Sequence, residues 1–361
     1  MAGSRGRKLD WTNLKAFTYE THEKIILILF FVFFVCFVGK KIKIMKAIRI
    51  HEFGGADNLR VDEIEKPTPS ADEVLIKTAA AGINYADTML RQNKYMFTPP
   101  LPFTLGFETA GTIEATGANV ENLKVGQRVL ATMRGGGYAE YAVTDWRTIV
   151  PIPDELDFGK ATALLVQGLT ALGLLSDLKS GQTVLIHAAA GGVGSLLVQL
   201  AKHKGAKVLG TASTTEKLEK IASLGADVGI NYTEADWTDE VLTATGGKGA
   251  DLIIEMVGGD IGKQNFKCLA AGGTMTVYGA ASGEDFQISA LGLLWKMQTV
   301  KGYNLNFETR ENMAAFTQEL MAHIAANRLQ VIVNEFPLEQ AKEAHNALEG
   351  RKTMGKVVLT V

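Results

Sequence analysis

The chain has 361 residues, enough for about two domains at roughly 100–200 residues each. Hydrophobic residues make up 47% and charged residues 21%, which excludes a wholly disordered chain. A formal net charge of -2 argues against a protein held to nucleic acid by phosphate contacts, and two distant cysteines, Cys36 and Cys268, can build neither a four-cysteine zinc lobe nor a disulfide framework. A reducing, cytosol-type compartment follows for the catalytic part.

The first 44 residues differ from the rest. They hold eight Lys/Arg against three Asp/Glu, whereas the remaining 317 hold 29 against 36. Residues 25–38 form an unbroken apolar run, IILILFFVFFVCFV, preceded by Lys24 and followed by Lys40, Lys41 and Lys43. As a helix it would rise about 21 Å, short of a ~30 Å hydrocarbon core, although flanking lysines can snorkel. It is read either as a short membrane anchor or as an extension ahead of a domain that begins at Met45; the extension is the expectation. Any membrane contact would run through residues 25–38 alone.

From Met45 to about Val150 the pattern is short-period and punctuated by Gly and Pro, with strands expected at 46–50, 73–78, 109–115 and 128–131. This reads as a β-rich, barrel-like domain. The period then lengthens. A helix is expected at 158–175, followed by alternating strands (183–187, 207–211, 228–231, 252–256, 273–278) and helices (194–203, 215–224, 238–245, 263–269). That alternation predicts a doubly wound parallel sheet. Helices at 313–326 and 338–348 and a last strand at 356–361 remain, and the last strand is expected to return to the first domain. The stretch 288–305 contains apolar runs (LGLLW, TVKGYNL) suited either to a sheet edge or to a core.

Residues 181–202 read GQTVLIHAAAGGVGSLLVQLAK: an apolar strand, a glycine-rich turn and a helix. In the G-x-G-x-x-G pattern Ala189 holds the first position, Gly191 the second and Gly194 the third. Gly191 lets backbone approach a diphosphate, Gly194 lets the helix pack on the sheet, and the helix N-terminus supplies free N–H groups and partial positive charge. Ala190, Gly191, Gly192 and Val193 are therefore the expected cradle. The second strand ends in Thr211-Ala212-Ser213-Thr214 with no carboxylate for a ribose 2′-OH. Ser213 and the nearby Lys217 suit a 2′-phosphate, which predicts NADPH; Lys217 on a solvated helix surface is the alternative.

From Met45 to Val361 the chain resembles the medium-chain dehydrogenase/reductase superfamily, and within it the zinc-free quinone oxidoreductase, or zeta-crystallin-like, branch. The resemblance rests on 181–202 and on MKAIRIHEFGG (45–55), GINYAD (82–87), GQRV (126–129) and QGLTA (167–171). It implies a GroES-like catalytic domain over 45–165, a Rossmann NADPH-binding domain over 166–304, and a return to the catalytic domain over 305–361. Zinc members carry Cys where Asn84 stands and His where Phe107 stands, and neither replacement can ligate zinc, so no metal is expected. The resemblance further places Asn84 beside the nicotinamide and Thr170 against its amide; Asn84 could instead cap a turn, and Thr170 could bond its own helix. Mitochondrial enoyl thioester reductases, relatives in the superfamily, carry a proton-donating tyrosine at the spacing of Tyr95, which could also be a packed aromatic. Tyr232, Gly258, Gly279, Ala280, Ala281 and Arg351 complete the implied cofactor contacts. Asp87 and Glu108 are read as structural.

The expected activity is NADPH-dependent hydride transfer to a quinone or an α,β-unsaturated carbonyl, by a homodimer without nucleic-acid partners. An enoyl thioester reductase using Tyr95 is the first alternative. An NADPH-binding protein with little turnover is the second.

Overall fold

The computed structural model describes residues 43–361, of which Met45–Val361 form one compact unit. The apolar run at 25–38 lies outside the described residues. Among the described residues no helix is long and apolar enough to cross a membrane.

The N-terminal part is built from β1 (Ile44–Ile50), β2 (Leu59–Glu65), β3 (Glu73–Ile83), β4 (Phe103–Thr104), β5 (Glu108–Thr116), β6 (Arg128–Thr132), β7 (Tyr141–Asp145) and β8 (Ile149–Pro151). β3 is the organising strand. It pairs antiparallel with both β5 and β7, and its buried Val74, Ile76, Ala81 and Ile83 feed two separate apolar clusters. Helix Tyr85–Arg91 follows β3 directly, so Asn84 is the hinge between strand and helix. β2, β4, β7 and β8 were not foreseen. Each is short or polar on one face, so alternation over a few residues gave too little signal.

The expected helix at 158–175 is two helices, Phe158–Thr162 and Leu165–Leu174. Ala163 and Leu164 bond to the carbonyls three residues back, which tightens the joint. The apolar spacing runs straight across it, although the first helix packs on β3 and β5 and the second on helices Gly192–His203 and Arg310–Ala325.

The second sheet comprises β9 (Thr183–Ile186), β10 (Lys207–Ala212), β11 (Val228–Asn231), β12 (Ala250–Glu255), β13 (Leu269–Val277) and β14 (Thr299–Gly302), in the order β11-β10-β9-β12-β13-β14. All pairings are parallel, so this is the doubly wound sheet. The chain leaves β9 toward β10 and later returns on its other side at β12. The C-terminal ends of β9 and β12 therefore flank the crevice where ligands gather in such sheets. β15 (Val333–Pro337) and β16 (Lys356–Thr360) join β3, β5, β6, β7 and β8 in a seven-stranded sheet, while β2, β1 and β4 form a separate three-stranded sheet; β16 lies between β15 and β3, with Val357 opposite Ile83. Helix Ala290–Lys296, unforeseen, leaves Leu291, Leu294 and Trp295 exposed. Those apolar side chains are surface, not core.

Candidate active site

A cavity of about 1510 Å³ lies between the seven-stranded sheet and the parallel sheet, lined by the turn after β9 and by the start of helix Tyr85–Arg91. At that turn Ala188 takes a left-handed φ of 48°. Helix Gly192–His203 then starts, and its first internal bond runs from Ser195 N–H to Gly191. The amides before it have no intrahelical partner. A Cβ on Gly194 would stand 2.3 Å from the Ala188 oxygen and 2.7 Å from the Ala189 Cα, so only glycine lets the helix lie this close to the strand. Gly355 N–H donates to the Ala190 oxygen at 2.8 Å, which ties the residue before β16 to the glycine turn.

Ala190, Gly191, Gly192 and Val193 all line the cavity. So do Ser213, Lys217, Tyr232 and Arg351, which converge at one end. Lys217 Nζ donates to the Arg351 backbone oxygen at 2.5 Å, and Arg351 donates to the Tyr232 hydroxyl at 3.2 Å. Burial and the neighbouring Arg351 charge hold the Lys217 ammonium below its usual pKa. Gly279, Ala280 and Ala281 line the far wall, with the Ala281 oxygen accepting from the Tyr85 hydroxyl at 2.9 Å. Gly258 stands apart. Its N–H donates to Glu255 Oε1 at 2.8 Å and it sits behind Val257, which supplies the wall.

At the other end Asn84, Tyr95 and Thr170 face the same cavity. Thr170 spends its hydroxyl proton on the Val166 oxygen at 2.6 Å. Tyr95 is half-buried against Phe97 and Phe107, with ring centroids 5.5 and 5.4 Å away, and burial raises its pKa. Phe107 is thus an aromatic wall.

Behind Asn84 stands a group that sequence reasoning largely missed. Asn84 Nδ2 donates to Glu108 Oε1 at 2.7 Å, Lys356 Nζ donates to Asn84 Oδ1 at 2.7 Å, and Lys356 also pairs with Glu108 Oε1. Glu108 and Lys356 are fully buried. A lysine opening an apolar strand ordinarily reads as a solvated strand end, so nothing local in the sequence pointed to it. Asp87 caps the helix by accepting from the Asn84 N–H at 2.8 Å, and burial, first of all, raises its pKa to about 7. Deeper still, Arg91 grips Glu349 through two bonds and reaches His345 Nδ1 at 3.1 Å. An arginine can only donate, so Nδ1 accepts and the histidine is neutral; burial and that cation push its pKa down to about 3. Among the described residues there is no group of three or more His, Cys, Asp or Glu placed to hold a metal.

Residues 192–321 match the zinc-binding dehydrogenase family model, and residues 70–154 match the alcohol dehydrogenase GroES-like domain. The quinone oxidoreductase of Rattus norvegicus is 36% identical over 324 residues, covering 88% of this chain and 98% of the relative. That of Homo sapiens is 35% identical with the same coverage. Among solved structures, the Escherichia coli quinone oxidoreductase complexed with NADPH is similar with a TM-score of 0.83 and 32% identity, covering 88% of this chain and 100% of that one. A mycobacterial protein complexed with NADPH matches with the same TM-score and coverage at 36% identity. The chain belongs to the quinone oxidoreductase branch of the medium-chain dehydrogenase/reductase superfamily.

Proposed function

We propose that the protein is an NADPH-dependent oxidoreductase that reduces quinones or α,β-unsaturated carbonyls without zinc. The observation that carries the cofactor choice is the convergence of Lys217, Arg351, Tyr232 and Ser213 on one end of a cavity whose middle is a glycine turn. The relatives solved with NADPH support the same choice. The residues fit the cofactor: the Gly191–Gly194 backbone can approach a diphosphate, while two cations with a phenol and a hydroxyl suit the ribose 2′-phosphate.

When bound, NADPH supplies a hydride to an electron-poor carbon of the acceptor. The chain's own residues do the rest. The glycine turn and the helix N-terminus hold the diphosphate; Val257 and Gly279–Ala281 wall the cleft; Thr170 lies against the nicotinamide end. Hydride addition moves a π pair onto the acceptor's oxygen, and Asn84 offers that oxygen a hydrogen bond. A proton from solvent completes the product. Phe107, Met133 and Leu165 on the cavity wall favour a flat, apolar acceptor.

A second reading, an enoyl thioester reductase, is favoured by Tyr95, whose phenol lines the cavity and is a proton donor at neutral pH. We also propose a homodimer. Edge strand β14 and the exposed Leu291, Leu294, Trp295 and Met297 beside it supply a surface suited to a second copy. The test is an NADPH-oxidation screen on the full chain with a small quinone, an enone and a crotonyl thioester. Turnover of the quinone or enone supports the first reading. Turnover of the thioester alone supports the second, and tight NADPH binding without turnover of any acceptor overturns both.

A further inference from the structure

The Asn84 carboxamide is fixed at both ends. A lysine ammonium only donates and an ionised carboxylate only accepts, so Lys356 identifies Oδ1 and Glu108 identifies Nδ2 without ambiguity. One N–H of the amide remains uncommitted. Asn84 lines the cavity, whereas Lys356 and Glu108 are sealed behind it.

The arrangement costs the fold something. A buried ion pair seldom stabilises a protein more than apolar side chains of the same size would. This one is sealed from solvent, with neither side chain exposed. It also demands a glycine on β3: a Cβ on Gly82 would stand 2.6 Å from Glu108 Oε1 and 2.7 Å from Lys356 Cε. Stability therefore does not account for the pair. Its contacts with Asn84 do.

We propose that Lys356, together with Glu108, is a positioning residue that locks the Asn84 carboxamide with its N–H available to the acceptor's oxygen. The role rests on the reductase reading above. The ammonium at Oδ1 draws electron density from the amide, which weakens its oxygen as an acceptor and strengthens its N–H as a donor. An unlocked asparagine would rotate freely and could set oxygen against oxygen as negative charge builds.

The test is a mutant cycle in the full chain, read by steady-state NADPH oxidation with a quinone and by fluorescence titration of NADPH. Lys356→Met alone would strand a buried carboxylate, so K356M/E108L removes both charges, and K356Q/E108Q restores a neutral donor and acceptor. We expect K356M/E108L to lower kcat by about tenfold or more, with Kd for NADPH within about twofold. K356Q/E108Q should recover kcat to within about fivefold of the wild type, and K356M/E108L added to Asn84→Ala should cost less than about twofold further. Asn84→Asp, which leaves the pair in place and so remains informative if the pair variants misfold, should lose more than Asn84→Ala because it replaces the donor with an acceptor. Four results would overturn the role: wild-type kcat in K356M/E108L, no recovery in K356Q/E108Q, a full additional loss in the Asn84→Ala background, or Asn84→Asp as active as Asn84→Ala. A wild type that binds NADPH but reduces nothing sinks the reductase reading and this role together. A competent wild type with an indifferent pair variant sinks this role alone.

Discussion

The ammonium of Lys217 rests on the backbone oxygen of Arg351, 134 residues further along the chain, at 2.5 Å. This contact brings the second helix of the nucleotide-binding sheet against the segment that leads into β16, and it sets two cations side by side at one end of the cleft. A 2′-phosphate placed there would gain charge-assisted bonds that a free 2′-OH would not. Lys217→Ala should therefore weaken NADPH binding about tenfold or more and leave NADH binding within about twofold. Equal losses for both nucleotides in a fluorescence titration would contradict the assignment.

Asp87 and His345 carry opposite pH signatures. The folded pKa of Asp87 is raised from 3.8 to about 7, so its contribution to stability is full below about pH 4 and is lost as pH rises through 7. The folded pKa of His345 is lowered from 6.5 to about 3, so its contribution is full above about pH 6.5 and is lost as pH falls toward 3. Between pH 4 and 6.5 the two slopes offset each other. Asp87→Asn should unmask a stability that rises with pH, and His345→Gln one that falls, each by up to about 1.4 kcal/mol per pH unit. Denaturant unfolding at several pH values checks this; parallel curves for both variants and the wild type would contradict it.

Gly194→Ala places a methyl group 2.3 Å from the Ala188 oxygen, a backbone atom that cannot step aside. Helix Gly192–His203 must lift from β9. A loss of about 2 kcal/mol or more, together with weaker binding of both nucleotides, is expected from thermal melts and titrations. A variant as stable as the wild type would show that the helix does not need its close approach.

Tyr95→Phe separates the two chemistries. It keeps the ring against Phe97 and Phe107 and removes only the hydroxyl. Under the quinone reading, kcat with a quinone stays within about twofold; under the thioester reading, kcat with a crotonyl thioester falls about a hundredfold. A variant unchanged on every acceptor removes Tyr95 as a proton donor.

Much of this was legible in the residues. The apolar strand, glycine turn and helix at 181–202 announce themselves locally, because a parallel strand buried on both faces is a continuous apolar run and a helix on a sheet needs its small residues at fixed spacing. Lys217 and Arg351 were both named from the sequence, but their contact across 134 residues is a product of topology. Lys356 was hidden for the same reason: what makes it interior is Glu108 on β5 and the missing side chain of Gly82 on β3, and neither is its neighbour in sequence. Glu255 Oε1 accepts from the N–H groups of both Val257 and Gly258, and of the two only Val257 lines the cavity.

The central claim is tested most directly by titrating the purified full chain with NADPH and then following NADPH oxidation with a small quinone, with and without a metal chelator. The account predicts saturable NADPH binding and quinone-dependent oxidation that the chelator leaves unchanged. Failure to bind either pyridine nucleotide, or turnover abolished by the chelator and restored by zinc, would contradict it.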